Sequence, residues 1–293
     1  MSELELPRNL VEGAIRYGDD QHRAWMNALP SVIAEIARRR DLDLGAPYQP
    51  GGFTSWVAPA RTHDGLDVVV KFGRLDTEAA HEYHALRLWD GNGAVRLYDV
   101  EEFEGTIFLA IERCVPGRAL NELEESEQDE VLTALLSRLW IEPPPRHRLR
   151  SLQQMCDEWA NGFDRMIAAG RSALDPGLER EGMALLRTLP STADRNTLLC
   201  TDLHAGNVLS AQREPWLVID PKPYVGDPTF DAVQHILNCP DRLHRDPVGL
   251  VARIAGLLDL DPLRLRLWLF ARCVQESPRW PGMADAAVHV APR

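Results

Sequence analysis

The sequence has 293 residues, and its 44 Asp and Glu residues outnumber its 32 Lys and Arg residues, which gives a formal net charge of −12 at pH 7. With 45% hydrophobic and 26% charged residues, the composition excludes a fibrous or disordered protein and predicts one large domain or two lobes. The acidic balance argues against nucleic acid as the main partner, because phosphate contacts require a positive face, and it suits a cationic small molecule.

The first 113 residues are predicted to form a helix followed by a small antiparallel sheet. Apolar residues at helical spacing mark residues 25–39, and the basic run at 38–40 suits the C-terminus of that helix. A second helix, capped by Asp76 or Thr77, ends near Trp89. Alternating and β-branched segments separated by glycine turns predict strands at residues 53–60, 67–72, 95–100 and 106–112.

The remainder of the chain is predicted to be mainly helical. The run C-V-P-G at residues 114–117 ends the strand pattern, and the acidic stretch 121–130 opens the helices. A single β-like insert spans residues 197–219. We therefore expect an α+β protein with a β-rich lobe at 1–113, a larger helical lobe at 114–293, and a ligand site in the cleft between them.

The cysteines and the start of the chain predict a cytoplasmic protein without a membrane segment. The five cysteines stand at least 34 residues apart and include no C-x-x-C pair, so neither a zinc site nor a disulfide framework is expected. The first residues lack the basic and apolar regions of a signal peptide, and no stretch is long and apolar enough for a transmembrane helix.

The strongest chemical signal is the run C-T-D-L-H-A-G-N-V-L from residue 200, followed by W-L-V-I-D-P from residue 216. Residues 208–210 and 216–219 are predicted to be the arms of a short hairpin, with Asn207 and Asp220 opposite each other at its open end, beside Asp202. Amide and carboxylate oxygens suit Mg²⁺ holding a phosphate chain, and Asp202 is left to accept a proton or orient a hydroxyl. Each residue alone is equally typical of a turn, so the hypothesis depends on the set.

A second signal is Lys71, which ends the apolar strand V-V-V-K-F. A lysine on a strand is commonly a solvated surface residue. The following helix argues otherwise, because Glu82 shares its inward stripe with Ala79 and Leu86, and a carboxylate there needs a partner. Glu78 lies one turn earlier on the same face, so spacing alone does not choose between the two glutamates.

These features together resemble the aminoglycoside phosphotransferase branch of the protein-kinase-like fold. The runs A-V-R-L-Y from residue 94, I-E-R from residue 111 and T-D-L-H-A-G-N from residue 201 resemble more narrowly the group of streptomycin 6-kinases and hydroxyurea phosphotransferases. The resemblance spans residues 51–231. It implies a bilobal protein that moves the γ-phosphoryl group of ATP, with Mg²⁺, to a hydroxyl of a small molecule.

The resemblance also implies a role for each matching residue. Asp202 would be the catalytic base, Asn207 and Asp220 would bind Mg²⁺, and Asp231 would brace the loop that carries them. Lys71 would hold the α- and β-phosphates and Glu82 would orient Lys71, while Ser55 would lie in a glycine loop over the phosphates. Backbone groups from Glu112 to Cys114 would bind adenine.

Two positions depart from the family pattern. Relatives commonly have glycine where this chain has Thr201, which can alter the strand that enters the loop. The segment G-G-F-T-S at residues 51–55 also lacks a G-x-G-x-x-G pattern, which weakens its assignment as a phosphate loop.

A polycationic aminoglycoside needs carboxylates around the acceptor, and the helical lobe offers four candidates: Asp157, Glu158, Asp164 and Glu276. A spacing of seven puts Asp157 and Asp164 on one helix face, where the alternative is a solvated acidic surface. Two further functions stay open: a kinase of the same design for hydroxyurea or a sugar, and an inactive nucleotide-binding regulator. The presence of Lys71 together with Asp202 argues against the regulator, because a binding module does not need the base.

Overall fold

The computed structural model describes residues 4–75, 79–171 and 174–292. The chain divides into two compact units: unit 1 comprises Met1–Gly117 and Ser210–Leu217, and unit 2 comprises Arg118–Leu209 and Val218–Arg293. The main division in the structure therefore follows Gly117, whereas the sequence analysis predicts it after residue 113. The sequence does not predict that residues 210–217 belong to the N-terminal unit.

Unit 1 contains a five-stranded antiparallel sheet in the order β1-β2-β3-β5-β4. Its helices are α1 Arg8–Tyr17, α2 Asp20–Arg40 and α3 Ala79–Trp89. Its strands are β1 Asp43–Leu44, β2 Ser55–Arg61, β3 Asp67–Arg74, β4 Leu97–Phe103 and β5 Thr106–Glu112. Helix α2 starts earlier than predicted because Asp19 caps it through His22 N–H, and Asp41 ends it in a left-handed conformation.

The core of unit 1 lies between α2 and the sheet. On the inward face of α2, Leu29 and Ile33 are fully buried together with aromatic residues of the sheet. Trp56 packs edge-on against Phe72, whose ring centroid is 5.2 Å from that of Phe108. Burial of these large side chains supplies the hydrophobic free energy that holds β3 rigid.

Unit 2 is mainly helical. Its helices are α4 Glu125–Leu139, α5 Leu152–Ala168, α6 Pro176–Thr188, α7 Pro228–Leu237, α8 Pro240–Arg245, α9 Pro247–Leu258, α10 Pro262–Glu276 and α11 Pro281–Val290. From α6 onward each begins with proline, whose fixed φ suits the first helical position. Asp175, Asp227, Asp246 and Asp261 cap four of them.

The strands of unit 2 are short. The segments β6 Arg150–Ser151, β7 Thr197–Leu199 and β10 Tyr224–Gly226 form a three-stranded sheet in the order β6-β10-β7. The segments β8 Val208–Ser210 and β9 Trp216–Val218 form the predicted hairpin, whose tip belongs to unit 1 and whose base belongs to unit 2. The sequence does not predict β6 and β10, because strands of two or three residues are too short to show an alternation of apolar and polar side chains.

A buried carboxylate joins four helices of unit 2. Asp129 on α4 is fully buried and accepts hydrogen bonds from Arg242 on α8 (2.9 and 2.8 Å) and from Arg253 on α9 (2.6 Å). His235 Nε2 on α7 lies 2.7 Å from its Oδ1 atom. These donors hold the pKa of Asp129 well below its usual value, against the opposing effect of burial. The network fixes the position of α7.

In the described part of the chain, every helix is too short or too polar to cross a membrane.

Candidate active site

The loop that begins at residue 200 is held by Asp231 on α7. Asp231 is fully buried, and its carboxylate accepts hydrogen bonds from Cys200 N–H (2.9 Å), Thr201 N–H (2.6 Å) and the indole Nε1 of Trp140 (3.1 Å). Burial raises the pKa of Asp231 to about 6, although the three donors favour the charged form. Asp231 therefore anchors Cys200 and Thr201 at the start of the loop. Asp202 comes directly after these two residues, so its position is fixed as well.

Thr201, where the family resemblance implies glycine, has φ of 50°, in the left-handed region. Its hydroxyl donates a hydrogen bond to the carbonyl of Lys222, and its N–H donates to Asp231. These two bonds offset the conformational cost of a β-branched residue with positive φ. The departure from glycine thus leaves the turn before Asp202 in place.

Asp202 is contacted by two side chains from unit 2. Lys222 Nζ lies 2.7 Å from Oδ2, and Gln234 Nε2 donates to Oδ1 at 3.3 Å. The Asp202 side chain is 20% exposed, so the carboxylate remains accessible to a ligand. The sequence missed both contacts: Lys222 lies between two prolines in what reads as an exposed turn, and Gln234 is one polar residue on an amphipathic helix.

Asn207 and Asp220 lie at the base of the β8–β9 hairpin. Asn207 Nδ2 donates to the Asp202 carbonyl at 3.0 Å, which leaves its Oδ1 atom as the amide acceptor. The Asn207 carbonyl accepts from Ile219 N–H at 2.9 Å, so the pairing is displaced by one residue from the predicted match with Asp220. Asp220 follows with φ of 52°, a turn that takes it out of the strand direction.

His204 has a local structural role. Its Nδ1 atom accepts a hydrogen bond from Gly206 N–H at 3.1 Å and caps the short 3-10 helix Ala205–Asn207. Burial lowers the pKa of His204, so the neutral ring that can accept this bond is favoured. The bond positions the turn that leads to Asn207.

Lys71 and Glu82 are brought together in unit 1. Lys71 lies in β3, opposite Val57 and Leu109, and its Nζ atom is 2.6 Å from Glu82 Oε2 on α3. The side chains are only 9% and 2% exposed, which makes this a buried ion pair. The other candidates on this segment, Asp76, Thr77 and Glu78, lie outside the described residues.

Ser55 is the first residue of β2 and lies opposite Gly73 in the sheet. It is 4% exposed, and its hydroxyl oxygen has no hydrogen-bond partner among the residues that the structure describes. A buried hydroxyl of this kind costs free energy unless a ligand or water pairs with it. Ser55 therefore ends the glycine segment with an available donor beside the strand that carries Lys71.

The end of β5 is held by Arg213 from the tip of the hairpin. Arg213 contacts both carboxylate oxygens of Glu112 and donates to the carbonyls of Gly91 and Ala94. The Glu112 N–H donates to the carbonyl of Arg96 at 2.8 Å, so within the predicted adenine-binding segment 112–114 this N–H is already paired.

Cys114, two residues after the end of β5, has a half-buried thiol. Burial and the nearby Glu112 carboxylate raise the pKa of this thiol to about 11. Its side chain is therefore neutral at physiological pH.

The predicted acceptor carboxylates fall into two groups. On α5, Asp157 accepts from Gln153 and Glu158 accepts from Gln154, and exposed Asp164 pairs with Arg187 of α6. Glu276, on α10, is 19% exposed and contacts Arg272 at 3.3 Å. Only Glu276 among the four lies at a cavity that also includes Gln234, the residue that contacts Asp202.

That cavity has a volume of about 650 Å³ and belongs entirely to unit 2. Its polar lining includes Asn238, Glu276 and the buried Arg272, whose guanidinium stacks over the ring of Trp159 at 4.2 Å. Trp280 stands at the cavity with 64% of its surface exposed. The cavity combines charged groups with an open aromatic face, which is the lining of a site for a polar organic molecule.

Residues 46–282 match the family described as aminoglycoside/hydroxyurea antibiotic resistance kinase. The chain belongs to that family. It is therefore a small-molecule kinase, a phosphotransferase with an alcohol group as acceptor, and the predicted resemblance is confirmed.

Two relatives illustrate the range of the antibiotic resistance kinases. The chain is 37% identical to a hydroxyurea phosphotransferase of Kitasatospora aureofaciens, over 93% of this chain and 79% of the relative. It is 33% identical to a streptomycin 6-kinase of Streptomyces glaucescens, over 94% of this chain and 90% of the relative. Both names describe phosphoryl transfer to a small molecule.

The fold is also that of known kinases. The structure of choline kinase LicA from Streptococcus pneumoniae matches 89% of this chain and 95% of its own length, with a TM-score of 0.60 at 14% sequence identity. The prediction of an α+β, protein-kinase-like fold is confirmed.

Proposed function

We propose that the chain transfers the γ-phosphoryl group of ATP, with Mg²⁺, to a hydroxyl of a small molecule. The observation that carries the proposal is the placement of Asp202: an accessible carboxylate that follows a loop anchored by Asp231, with Asn207 and Asp220 at the base of the adjoining hairpin. Asp202 would accept the hydroxyl proton while the acceptor oxygen attacks the γ-phosphorus and ADP leaves.

The N-terminal unit supports a nucleotide. We propose that Lys71, oriented by Glu82 at 2.6 Å, contacts the α- and β-phosphates, because a buried ammonium with a fixed direction is suited to a phosphate chain. The buried Ser55 hydroxyl, with no partner in the described residues, fits a donor to the same phosphates. Adenine would be held by backbone groups around Cys114.

The donors at the hairpin base fit a magnesium ion. Asn207 and Asp220 would hold it with an amide oxygen and a carboxylate, and phosphate and water oxygens would complete the shell. Within the described residues there is no group of three or more His, Cys, Asp or Glu side chains that could hold a metal. The bound ion would neutralise charge on the phosphates.

For the acceptor, we propose an aminoglycoside such as streptomycin, and hence a role in antibiotic resistance in the cytoplasm, where ATP and Mg²⁺ are present. The cavity of about 650 Å³ is in the range for drug-sized ligands, and hydroxyurea would fill a small part of it. Glu276 and the exposed ring of Trp280 can face a cationic group. Asp157, Glu158 and Asp164 are second in order, because none of the three lines this cavity.

Hydroxyurea is the second candidate acceptor, and it is favoured by the 37% identity to the hydroxyurea phosphotransferase. A sugar would be a third acceptor of the same reaction. An inactive nucleotide-binding regulator is not favoured, because such a protein has no use for an anchored and accessible Asp202.

The proposal is tested by ATP consumption with Mg²⁺ across a panel of streptomycin, other aminoglycosides, hydroxyurea and sugars. We expect turnover that depends on one acceptor class and falls by at least about 100-fold in Asp202→Ala, with nucleotide affinity retained. Asp194→Ala, which removes an exposed aspartate of the same unit, should turn over like the wild type. Full-rate transfer by Asp202→Ala would contradict the assignment of the base.

The metal assignment has its own measurement. Asp220→Ala should lose the Mg²⁺-dependent part of ATP affinity in a calorimetric titration, because one of two metal ligands is removed. An affinity that depends on Mg²⁺ as strongly as in the wild type would remove Asp220 from the metal site.

A further inference from the structure

Lys222 has contacts that the proposed function does not yet use. Its Nζ atom lies 2.7 Å from Asp202 Oδ2, and Gln234 contacts the other oxygen, so both carboxylate oxygens of the proposed base are engaged. The Lys222 side chain is 39% exposed, and an ammonium has three donors. It can therefore contact Asp202 and a ligand at the same time.

The main chain of Lys222 holds this position. Its N–H donates to the Cys200 carbonyl at 3.0 Å, and its own carbonyl accepts from the Thr201 hydroxyl. Pro221 and Pro223 on either side restrict φ at their own positions and the conformation of the residue before each. An exposed lysine that pairs with an aspartate typically contributes little to stability, because its side chain must be ordered to hold the contact. The main chain of Lys222, in contrast, is hydrogen-bonded to Cys200 and Thr201, the two residues that precede Asp202.

The composition points to a requirement for an ammonium. The chain contains 30 arginines and only two lysines, Lys71 and Lys222. Arginine is thus its ordinary cation, and both lysines contact a carboxylate of the proposed site, Glu82 and Asp202. A lysine ammonium is a compact point charge with rotating donors, while the guanidinium of arginine has a rigid planar fork. A group that must contact one carboxylate oxygen and one phosphoryl oxygen needs the freely rotating donors of a lysine ammonium.

We propose that Lys222 is a catalytic cation of the phosphoryl transfer, which orients Asp202 and contacts the transferred phosphoryl group. This inference rests on the proposed function. The acceptor oxygen forms its bond to the γ-phosphorus, the bond from that phosphorus to the β–γ bridging oxygen breaks, and ADP keeps the electron pair. The hydroxyl proton passes to Asp202, and Lys222 remains protonated and offsets negative charge on the phosphoryl oxygens.

The test uses Lys222→Met and Lys222→Arg in the full chain. Methionine keeps an unbranched apolar side chain without the charge, and the main-chain bonds to Cys200 and Thr201 do not depend on the side chain. Arg195→Met, which removes an exposed charge from the same unit, is the control for net charge. Thermal unfolding of each variant checks that the fold is retained.

We expect Lys222→Met to lower kcat by roughly 100- to 1,000-fold, with the KM of the acceptor changed by less than about threefold. Its affinity for a non-hydrolysable ATP analogue should fall about tenfold while that for ADP stays within about twofold, because only the former has a γ-phosphate. Lys222→Arg should recover part of kcat, since it restores the charge but not the geometry.

Three results would overturn the inference: a kcat close to that of the wild type, faster turnover, or equal losses of affinity for the ATP analogue and ADP. A kcat close to that of the wild type would show that Lys222 takes no part in the reaction. Faster turnover would show that its contact with Asp202 slows the reaction, and equal losses of affinity would show that it only maintains the structure of the site. Failure of the proposed function is a different result, in which the wild type shows no acceptor-dependent turnover. The two nucleotide affinities then still decide whether Lys222 contacts the γ-phosphate.

Discussion

Replacing Asp129 by asparagine is expected to destabilise unit 2 strongly. The fully buried carboxylate faces four nitrogen atoms: Nη1 of Arg242 and Nε2 of His235 at Oδ1, and Nη2 of Arg242 and Nε of Arg253 at Oδ2. Asparagine has one acceptor oxygen and one NH₂ group. In either orientation of the asparagine amide, its NH₂ group replaces one carboxylate oxygen. The two nitrogen atoms that contacted that oxygen then face a hydrogen-bond donor instead of an acceptor.

The magnitude follows from the burial of this network. Removing one partner of a buried ion pair typically costs about 3–5 kcal/mol, because the remaining charges stay buried without compensation. Asparagine keeps half of the hydrogen bonds, so we expect a loss of about 3 kcal/mol in the free energy of unfolding. The two arginine side chains are partly exposed, at 20% for Arg242 and 38% for Arg253, which lets water moderate the loss.

Urea unfolding followed by tryptophan fluorescence and circular dichroism measures the effect. Glu125→Gln is the matched control: Glu125 lies 3.4 Å from the same Arg242 but is 45% exposed, so its loss should stay below about 0.5 kcal/mol. If the free energy of unfolding of Asp129→Asn is within about 1 kcal/mol of the wild-type value, the buried network does not stabilise unit 2 as argued.

Two further predictions concern stability. Because the pKa of Asp231 is raised from 3.8 to about 6, the folded state holds an extra proton between these values, so this residue's contribution to stability should fall as pH rises through that window. The difference in unfolding free energy between wild type and Asp231→Asn should therefore shrink from pH 4 to pH 6; a difference that grows would contradict the sign. Gly226→Ala should cost about 1–3 kcal/mol, because its Cβ would stand 2.3 Å from Leu152 Cβ. Gly256→Ala, in an exposed and open position on α9, should instead stabilise by about 0.5–1 kcal/mol, and thermal melts that show the same sign for both would refute the packing argument.

The strands of unit 1 were largely predictable because their signals are local. The β-branched run from residue 67 and the segment 106–112 correspond to β3 and β5, and the second was predicted with both ends correct. Both are bounded by glycine or charged turns, and both alternate or run apolar over several residues. Helix α1 was not predicted from the sequence, since it has only ten residues and, of residues 8–16, only Leu10, Gly13 and Ala14 are buried.

The candidate site was predictable in its residue types but not in its connections. The donor pattern around Asp202, Asn207 and Asp220 is a local property of ten to twenty residues. The hairpin register was wrong by one residue, because symmetry about a turn assumes a turn length that the sequence does not state. Arg213 bonds to Glu112, 101 residues away, and no local pattern encodes such a contact.

The scarcity of lysine has a practical consequence for measuring local stability. A lysine-specific endoprotease cuts after lysine, so the chain offers this enzyme only two bonds: Lys222–Pro223 in unit 2, and Lys71–Phe72 in unit 1. The Lys71–Phe72 bond lies inside β3, which is paired on both sides, and Phe72 is fully buried. Cleavage there therefore requires the sheet of unit 1 to open, and its rate reports the free energy of that opening separately from unit 2.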